Sequence, residues 1–181
     1  MEHDDSALLA RVLATDDRHA FAQLVRRHQS QVRAVLRRLT GGDEALTDDL
    51  AQETFLRAYR GLARYRAESK FSTWLYRIAT NVFLSNRRRI RLLTEAEVEV
   101  AAPANLLARD FRHDLERAML SLPEQERTAI ALAYAEEATH EDIAEVMALP
   151  LGTVKSAILR GKEKLRRRLR AWAPAAGGST T

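Results

Sequence analysis

The amino-acid sequence predicts an all-α protein of two small helical domains, and three observations support this fold class. Hydrophobic residues make up 46% of the 181 residues and charged residues 30%, while Gly (7) and Pro (4) are few. Apolar residues recur every three or four positions along most of the chain, as on one face of a helix. One irregular stretch separates two regularly patterned halves. The apolar content excludes a disordered chain, and the scarcity of turn residues excludes a β-sandwich.

Two features of the composition limit the class of protein. The chain has no cysteine, which excludes a disulfide framework, a thiolate zinc site and a cysteine nucleophile. No apolar stretch approaches the roughly 20 residues that a membrane span requires. The acidic residues 1–5 do not resemble a secretory signal. We therefore expect a cytoplasmic protein with no membrane insertion.

The first half of the chain predicts a domain over residues 5–91. A short amphipathic helix covers residues 6–14. A longer helix follows Asp17, with an apolar stripe formed by Phe21, Leu24, Val25, Val32, Leu36 and Leu39. Residues 40–43 (TGGD) end that helix, and Asp43 is suited to cap the next one, which runs to about Ala63. The last helix begins at residues 71–73 and ends in the basic cluster near Arg87.

The second half predicts a linker, a smaller domain and a tail. Residues 92–110 mix acids, small residues and Pro103, and we expect them to form a flexible linker. Helical patterning returns over residues 111–172, where one helix carries Leu115, Met119 and Leu122 and another begins at Pro123. The small residues of 173–181 are expected to form a disordered tail.

The positive charges lie in two blocks. The net charge is only +4 (29 basic against 25 acidic residues), but four arginines fall within residues 87–91. Residues 151–170 contain eight basic side chains and one acid, Glu163. Solvated helix faces could account for either block alone. Two blocks, each ending a well-patterned helix, favour two contacts with a polyanion.

Residues 139–170 predict a helix-turn-helix. Thr139 and Asp142 have the spacing of a capping box at the start of a short helix, whose apolar face carries Ile143, Ala144 and Met147. A break at residues 148–150 precedes a helix from Leu151 or Thr153, with Val154, Ile158 and Leu165 directed inward. Such a second helix lies in the DNA major groove. A plain helical hairpin is the alternative.

Four segments of the chain resemble bacterial RNA polymerase sigma factors of the sigma-70 family. Residues 48–59 (DDLAQETFLRAY) are similar to the part of domain 2 that docks on core polymerase, and residues 71–81 (FSTWLYRIATN) to the promoter-reading helix that follows. Residues 121–127 (SLPEQER) resemble the start of domain 4, and residues 142–156 its helix-turn-helix. Domains 1 and 3 have no counterpart, which is typical of the extracytoplasmic-function class.

The resemblance implies three sets of binding residues. Contact with core polymerase, through its β′ clamp helices, is implied for Asp49, Leu50, Gln52, Glu53, Phe55, Arg57 and Tyr59; the β flap is the second polymerase contact. Reading of the single-stranded −10 element is implied for Lys70, Phe71, Ser72, Trp74, Arg77, Asn81, Arg87 and Arg88. Reading of the −35 duplex is implied for Thr153, Lys155, Ser156, Leu159 and Arg160. For Phe55, Tyr59 and Trp74, ordinary core packing is the alternative.

The sequence departs from the family pattern at three positions of domain 4. Glu137 and Ala148 stand where the family often has glycine, so each predicts a non-glycine residue at a positive φ. Ala157 replaces a frequent arginine of the recognition helix, and we expect it to remove one contact with a phosphate or base. These departures leave the turn geometry and the −35 sequence open.

The predicted function is that of an alternative sigma factor, which directs promoter-specific transcription initiation. By resemblance, its partners are core RNA polymerase, promoter DNA and an anti-sigma factor. We predict neither an enzyme nor a cofactor or metal site, because the Glu137-x-x-His140 spacing has no second copy such as a di-iron site needs. The alternatives are a helix-turn-helix regulator that binds duplex DNA without polymerase, and a helical adaptor that does not bind DNA.

Overall fold

The computed structural model describes residues 5–94, 111–135 and 138–170. Within these ranges every regular element is a helix, as the sequence predicts. The helices are α1 (Ser6–Thr15), α2 (Arg18–Thr40), α3 (Glu44–Gly61), a 3₁₀ turn (Leu62–Arg64), α4 (Phe71–Thr94), α5 (Phe111–Leu120), α6 (Glu124–Ala133), α7 (His140–Met147) and α8 (Leu151–Arg168).

The predicted helix starts are confirmed by their capping hydrogen bonds. The Asp17 carboxylate accepts from the backbone N–H groups of His19 and Ala20, both at 3.0 Å. Asp43 accepts from the N–H of Leu46 at 2.9 Å. These side chains satisfy donors that the first turn of a helix leaves without an internal partner. Gly41, at φ 68°, ends α2 in the left-handed conformation that glycine adopts without strain.

Two helix ends differ from the prediction. Helix α4 continues to Thr94, three residues into the segment predicted as linker, because residues 90–94 contain neither glycine nor proline to end it. Helix α3 ends at Gly61 and passes into the 3₁₀ turn, slightly before the predicted end. The rest of the predicted linker and the whole predicted tail lie outside the described residues.

Helices α1–α4 pack into the first domain, which we call domain 2. The apolar stripe of α2 forms the centre of its core, where Leu24, Val32 and Leu36 have at most 1% of their surface exposed. A buried polar contact fixes the N-terminal end, since His28 Nε2 lies 2.7 Å from the Asp5 carboxylate. Arg27 donates to the same carboxylate at 3.0 Å. Asp5, directly before α1, is therefore bound to two side chains in the middle of α2.

Helices α5–α8 form the second domain, which we call domain 4. Helix α8 packs closely on α6 at Gly161, where a Cβ atom would lie 2.7 Å from Ile130 Cγ1. Ala157 and Val154, on the same side of α8, are completely buried. Small residues on this side let the two helix backbones approach each other, so the opposite side of α8 faces away from the domain.

The two domains contact each other. Glu116 of α5 accepts hydrogen bonds from Arg37 of α2 at 3.1 and 3.2 Å. The end of α5 lies over the turn after α2, where a Cβ on Gly41 would come within 2.4 Å of Leu120 Cγ. Helix α7 packs on α4, with a hydrogen bond of 3.0 Å from Thr73 Oγ1 to Asp142. Domain 4 therefore lies against α2 and α4 of domain 2.

Candidate nucleic-acid interface

The outer side of α8 presents the residues predicted to read the −35 duplex. Lys155, Ser156, Leu159 and Arg160 are exposed, and Thr153 is half-buried in the first turn of the helix. Leu159 has 71% of its surface exposed, a high value for a large apolar side chain. An aliphatic group among cations and hydroxyls suits a DNA groove, where it can contact a thymine methyl group.

The turn before α8 forms without the family's glycine. Ala148 adopts φ 51°, so the prediction of a positive φ at this position is confirmed. Its N–H donates to the carbonyl of Glu145 at 3.2 Å, and the next N–H donates to the carbonyl of Ala144 at 3.1 Å. These bonds satisfy the end of α7 but leave an alanine in a conformation disfavoured by its Cβ. Glu137, the other departure, lies outside the described residues.

Ala157 lies on the packed side of α8. Its side chain has 0% exposure and belongs to the core between α8 and α6. The inward stripe of Val154 and Ile158 already indicates this side, because position 157 lies three residues after Val154 and one before Ile158. The loss of a contact with a phosphate or base stays a prediction.

The start of α7 confirms the predicted capping box. Thr139 Oγ1 accepts from the Asp142 N–H at 3.1 Å, and the Asp142 carboxylate accepts from the Thr139 N–H at 2.8 Å. Partial burial raises the pKa of Asp142, but hydrogen bonds from Thr139 and Thr73, together with the charge of Lys70, outweigh it. The pKa of Asp142 is therefore below its ordinary value, and the carboxylate is charged at neutral pH.

A buried carboxylate of α6 holds the basic side chains of α8. Glu126 is only 6% exposed and accepts a hydrogen bond from Lys164 Nζ at 2.9 Å. Arg160 Nε lies 3.4 Å from the same carboxylate. This contact limits the freedom of the Arg160 side chain while leaving it on the exposed side of the helix.

The predicted −10 aromatics lie in a cluster at the start of α4. Phe71 and Trp74 are 5% and 7% exposed and stack with ring centroids 5.6 Å apart. Tyr65 contacts both rings, at 5.5 and 5.3 Å. Ser72 is also buried, while Lys70 is exposed. Trp74 is therefore packed in the core, as the alternative given for it describes, and Phe71 is buried beside it.

A cleft of about 330 Å³ opens beside Trp74, lined by Arg64, Tyr65, Arg66, Glu68, Ser69, Trp74, Arg77 and Glu145. Residues 64–69 supply most of this lining, and none of them is among the residues predicted to bind the −10 strand. The sequence Arg64-Tyr65-Arg66 could have indicated this part of the site, because aromatic side chains between cations suit the binding of a single strand. The cleft combines an indole, a phenol and guanidinium groups around a space that is large enough for a nucleobase.

Farther along α4, the remaining predicted −10 residues lie on its outer side. Asn81, Arg87 and Arg88 are exposed, and Arg77 is half-buried at the cleft. Arg87 also lies over the Phe83 ring, 5.9 Å from its centroid. Arg77, Arg87 and Arg88 follow one another along the helix, as contacts with the phosphates of a DNA strand would require.

Helix α3 carries the residues predicted to bind polymerase. Asp49, Gln52 and Arg57 are exposed, Glu53 and Phe55 are half-buried, and Leu50 is buried in the domain. Arg57 Nε donates to Glu53 at 2.6 Å along the helix.

Tyr59, the last of these residues, packs against its own domain. Its hydroxyl donates to Asp16, and this bond raises the pKa of Tyr59. Its ring contacts Phe21 edge-on, with centroids 4.8 Å apart. The predicted residues therefore form two groups. Asp49, Gln52, Glu53 and Arg57 form an exposed ridge on α3, and Leu50, Phe55 and Tyr59 pack beneath it.

The exposed ridge borders a cleft between α3 and α4. The cleft has a volume of about 600 Å³ and is lined by Leu46, Asp49, Leu50, Glu53, Arg57, Val82, Ser85, Asn86, Arg89 and Ile90. The sequence did not predict the α4 residues of this lining, because only the packing of the helices brings α4 close to α3. Ile90, 42% exposed, provides an apolar patch at the end of the cleft.

Within residues 5–94, 111–135 and 138–170, no three His, Asp or Glu side chains converge as a metal ion would require. No helix of the described ranges has the length and hydropathy to cross a membrane.

Both domains match family models. Residues 24–92 match Sigma-70 region 2, and residues 112–165 match Sigma-70, region 4. The chain belongs to the sigma-70 family of RNA polymerase sigma factors, which are transcription initiation factors. Its relatives place it in the extracytoplasmic-function class, whose members direct transcription as alternative sigma factors.

Two curated relatives illustrate this placement. The chain is 33% identical over 171 residues to the ECF RNA polymerase sigma factor SigW of Bacillus subtilis, covering 85% of this chain and 91% of SigW. It is 36% identical over 182 residues to the ECF RNA polymerase sigma-E factor of Haemophilus influenzae, covering 91% and 95%.

Solved structures of similar fold include two complexes. One is CnrH in complex with the cytosolic domain of CnrY, with a TM-score of 0.71, 26% identity and coverage of 92% of this chain and 97% of that one. The other is RpoE in complex with the anti-sigma factor NepR from Bartonella quintana, with a TM-score of 0.68, 27% identity and coverage of 83% and 96%.

Proposed function

We propose that this sigma factor binds core RNA polymerase through the exposed ridge of α3 and reads promoters with two separate surfaces. Domain 2 takes the single-stranded −10 element along α4 and at the cleft beside Trp74. Domain 4 takes the −35 duplex on the outer side of α8. The observation that carries the proposal is the exposed side of α8, where cations, a hydroxyl and Leu159 lie together opposite a fully buried side.

The α3–α4 cleft supports the polymerase contact. Its lining combines carboxylates, an amide and guanidinium groups with apolar side chains, as a protein interface requires. A helix of the β′ clamp would lie along it and contact Asp49, Gln52 and Glu53. The β flap would contact domain 4.

The single strand is recognised by stacking and charge in this proposal. The cleft of Trp74, Tyr65 and Arg77 would receive a base turned out of the stack. Asn81 and the exposed Arg87 and Arg88 would contact the flanking strand. Each DNA contact is weak alone, and polymerase strengthens both by fixing the spacing of the domains, which raises their effective concentration on a promoter.

An anti-sigma factor is the second proposed partner. The sigma factor RpoE is in complex with the anti-sigma factor NepR in its solved structure, and CnrH is in complex with the cytosolic domain of CnrY. We infer that the present chain also binds an anti-sigma factor. We further propose that the protein acts in the cytoplasm and carries no catalytic chemistry of its own.

Run-off transcription with bacterial core polymerase over a pooled genomic promoter library tests the function. We expect initiation from a discrete set of promoters, and their alignment gives the −10 and −35 sequences. Absence of core binding, together with tight binding of duplex DNA by the protein alone, would instead indicate a helix-turn-helix regulator.

The variant Arg160→Ala tests the −35 surface in the same assay. Loss of one base or phosphate contact is expected to lower initiation at −35-dependent promoters by roughly 5-fold to 150-fold, the equivalent of about 1–3 kcal/mol. Arg168→Ala is the matched control, because Arg168 is exposed in the last turn of the same helix. Equal losses in both variants would contradict a specific role for Arg160.

A further inference from the structure

A buried carboxylate of α6 lies between two exposed cations of α8. Glu126 stands in the first turn of α6 and has 6% of its surface exposed. Lys164 Nζ lies 2.9 Å from one oxygen of the Glu126 carboxylate and 2.8 Å from the other. Arg160 Nε lies 3.4 Å from the first of these oxygens. One carboxylate therefore contacts two basic side chains that are one turn apart on α8.

The close approach of α6 and α8 brings Glu126 to this place. Gly161 directly follows Arg160, and a Cβ atom at position 161 would lie 3.5 Å from the backbone oxygen of Glu126. Because glycine has no side chain, the first turn of α6 can reach the backbone of α8 at this point. The position of Glu126 in that turn also places its carboxylate at the positive end of the α6 dipole.

The contact with Arg160 is not needed to bury the carboxylate. A buried charge requires a partner, and Lys164 alone supplies one to each carboxylate oxygen. The Arg160 side chain is 55% exposed, so water would solvate its guanidinium group without Glu126. The contact therefore has its main effect on Arg160, which is one of the residues proposed to read the −35 duplex.

The geometry of the contact leaves Arg160 able to bind a base. Nε is the guanidinium atom that lies at the carboxylate, so the two terminal amino groups remain for acceptors in the DNA groove. Guanine presents two such acceptors, O6 and N7, to one guanidinium group. A long side chain that is already ordered loses less conformational freedom when it binds.

We propose that Glu126 is a positioning residue for promoter recognition. It orders the Arg160 side chain before DNA binds, and it thereby raises discrimination at the −35 base pair that Arg160 contacts. This inference rests on the proposed function, because it takes the outer side of α8 as the −35 surface. It assigns a part in sequence specificity to a residue outside the recognition helix.

The size of the effect follows from the conformational freedom of one arginine side chain. Loss of the ordering lowers discrimination at that base pair by about 2-fold to 10-fold. Discrimination at the other −35 positions stays unchanged, because the partners of the Glu126 carboxylate in the described part of the chain include no other residue assigned to the duplex. A loss confined to one base pair is therefore the expected signature.

The test measures run-off transcription by core polymerase with full-length variants of this chain. The templates are one promoter from the pooled library and derivatives in which each −35 base pair is changed in turn. Arg160→Ala identifies the base pair whose discrimination depends on Arg160. Glu126→Gln removes the charge, and Glu126→Met also removes the hydrogen-bond acceptor at nearly the same side-chain length. We expect both to lose discrimination at that base pair, Glu126→Met by the larger factor.

Two controls separate positioning from a structural role. Glu163→Gln is the matched control, because it removes a carboxylate of α8 whose partners, Arg166 and Arg167, are not assigned to the duplex. It should leave discrimination unchanged. In the Arg160→Ala background, Glu126→Gln should cause no further loss at that base pair, because Glu126 acts through Arg160. Circular dichroism checks that each variant is folded.

Three results would overturn the proposal. They are unchanged discrimination in both Glu126 variants, an equal loss at every −35 position, and a further loss in the Arg160→Ala background. If Arg160→Ala changes discrimination at one base pair while any of these results is obtained, the proposed function stands and the positioning role alone is rejected. If Arg160→Ala changes discrimination at no position, the assignment of Arg160 to the duplex is rejected as well.

Discussion

Ala148 has a strained backbone conformation in the turn of the helix-turn-helix, because its φ of 51° is positive. It is one of three non-glycine residues at positive φ in the described ranges, with Asp16 and Ala67. Its Cβ is unfavourable in the left-handed conformation. Glycine would adopt the same φ of 51° freely and satisfy the same two carbonyl groups at the end of α7.

We predict that Ala148→Gly stabilises the protein by about 1 kcal/mol, because relief of the left-handed strain outweighs the entropy that glycine adds to the unfolded chain. Thermal unfolding followed by circular dichroism measures the change. The control is Ala10→Gly, at an exposed position inside α1, which is expected to lower stability by about 0.5–1 kcal/mol. A loss of stability in both variants would show that the backbone of Ala148 is not strained.

The same residue shows what sequence reasoning could and could not supply. The resemblance predicts a positive φ at Ala148, because the family often has glycine at this position of the turn. The packed side of α8 follows from the period of its apolar residues, and Ala157 lies on that side with Val154 and Ile158. The closeness of the contact between α8 and α6 could not be predicted, because it depends on side chains of both helices.

At the scale of elements, the contact between α6 and α8 positions the recognition helix. Gly161 is buried in this contact, and a Cβ there would lie within 2.7 Å of Ile130 Cγ1 and 3.2 Å of Cδ1. Close packing of this kind allows no added methyl group without a shift of the neighbouring side chain. Gly152, in the first turn of the same helix, has nothing within 4 Å of an added Cβ.

We predict opposite effects of alanine at these two glycines of α8. Gly161→Ala is expected to lose about 1–3 kcal/mol through overpacking, which exceeds the roughly 1 kcal/mol gained in helix propensity. Gly152→Ala is expected to gain up to about 1 kcal/mol, because its Cβ meets open space. Chemical denaturation of the full chain measures both. A midpoint that rises equally in the two variants would show that α6 does not approach α8 this closely.

At the scale of the whole molecule, the surfaces proposed for polymerase and for DNA differ in their exposure. The α3 ridge and the outer side of α8 remain open, while α4 faces carboxylates of domain 4. In this structure the surface proposed for polymerase is therefore accessible, whereas the surface proposed for the −10 strand is partly covered by domain 4.

We predict that Gln52→Ala weakens binding to core polymerase by roughly 3-fold to 30-fold, since Gln52 is exposed at the centre of the α3 ridge and its amide would lose its partners on the clamp. Competition against a labelled sigma factor measures the affinity. Gln29→Ala is the matched control, because Gln29 is equally a glutamine exposed on a helix of domain 2. Equal affinities of the two variants for core would remove Gln52 from the interface.

The sequence by itself determined the helices, their caps, the helix-turn-helix and the family, because each depends on the order and spacing of neighbouring residues. Asp17, Asp43 and the Thr139–Asp142 capping box are local contacts of this kind. Only the tertiary structure decided that α4 completes the cleft beside α3 and that Glu145 lies at Arg77. Those contacts join residues far apart in the chain, and the packing of helices, which no local pattern records, brings them together.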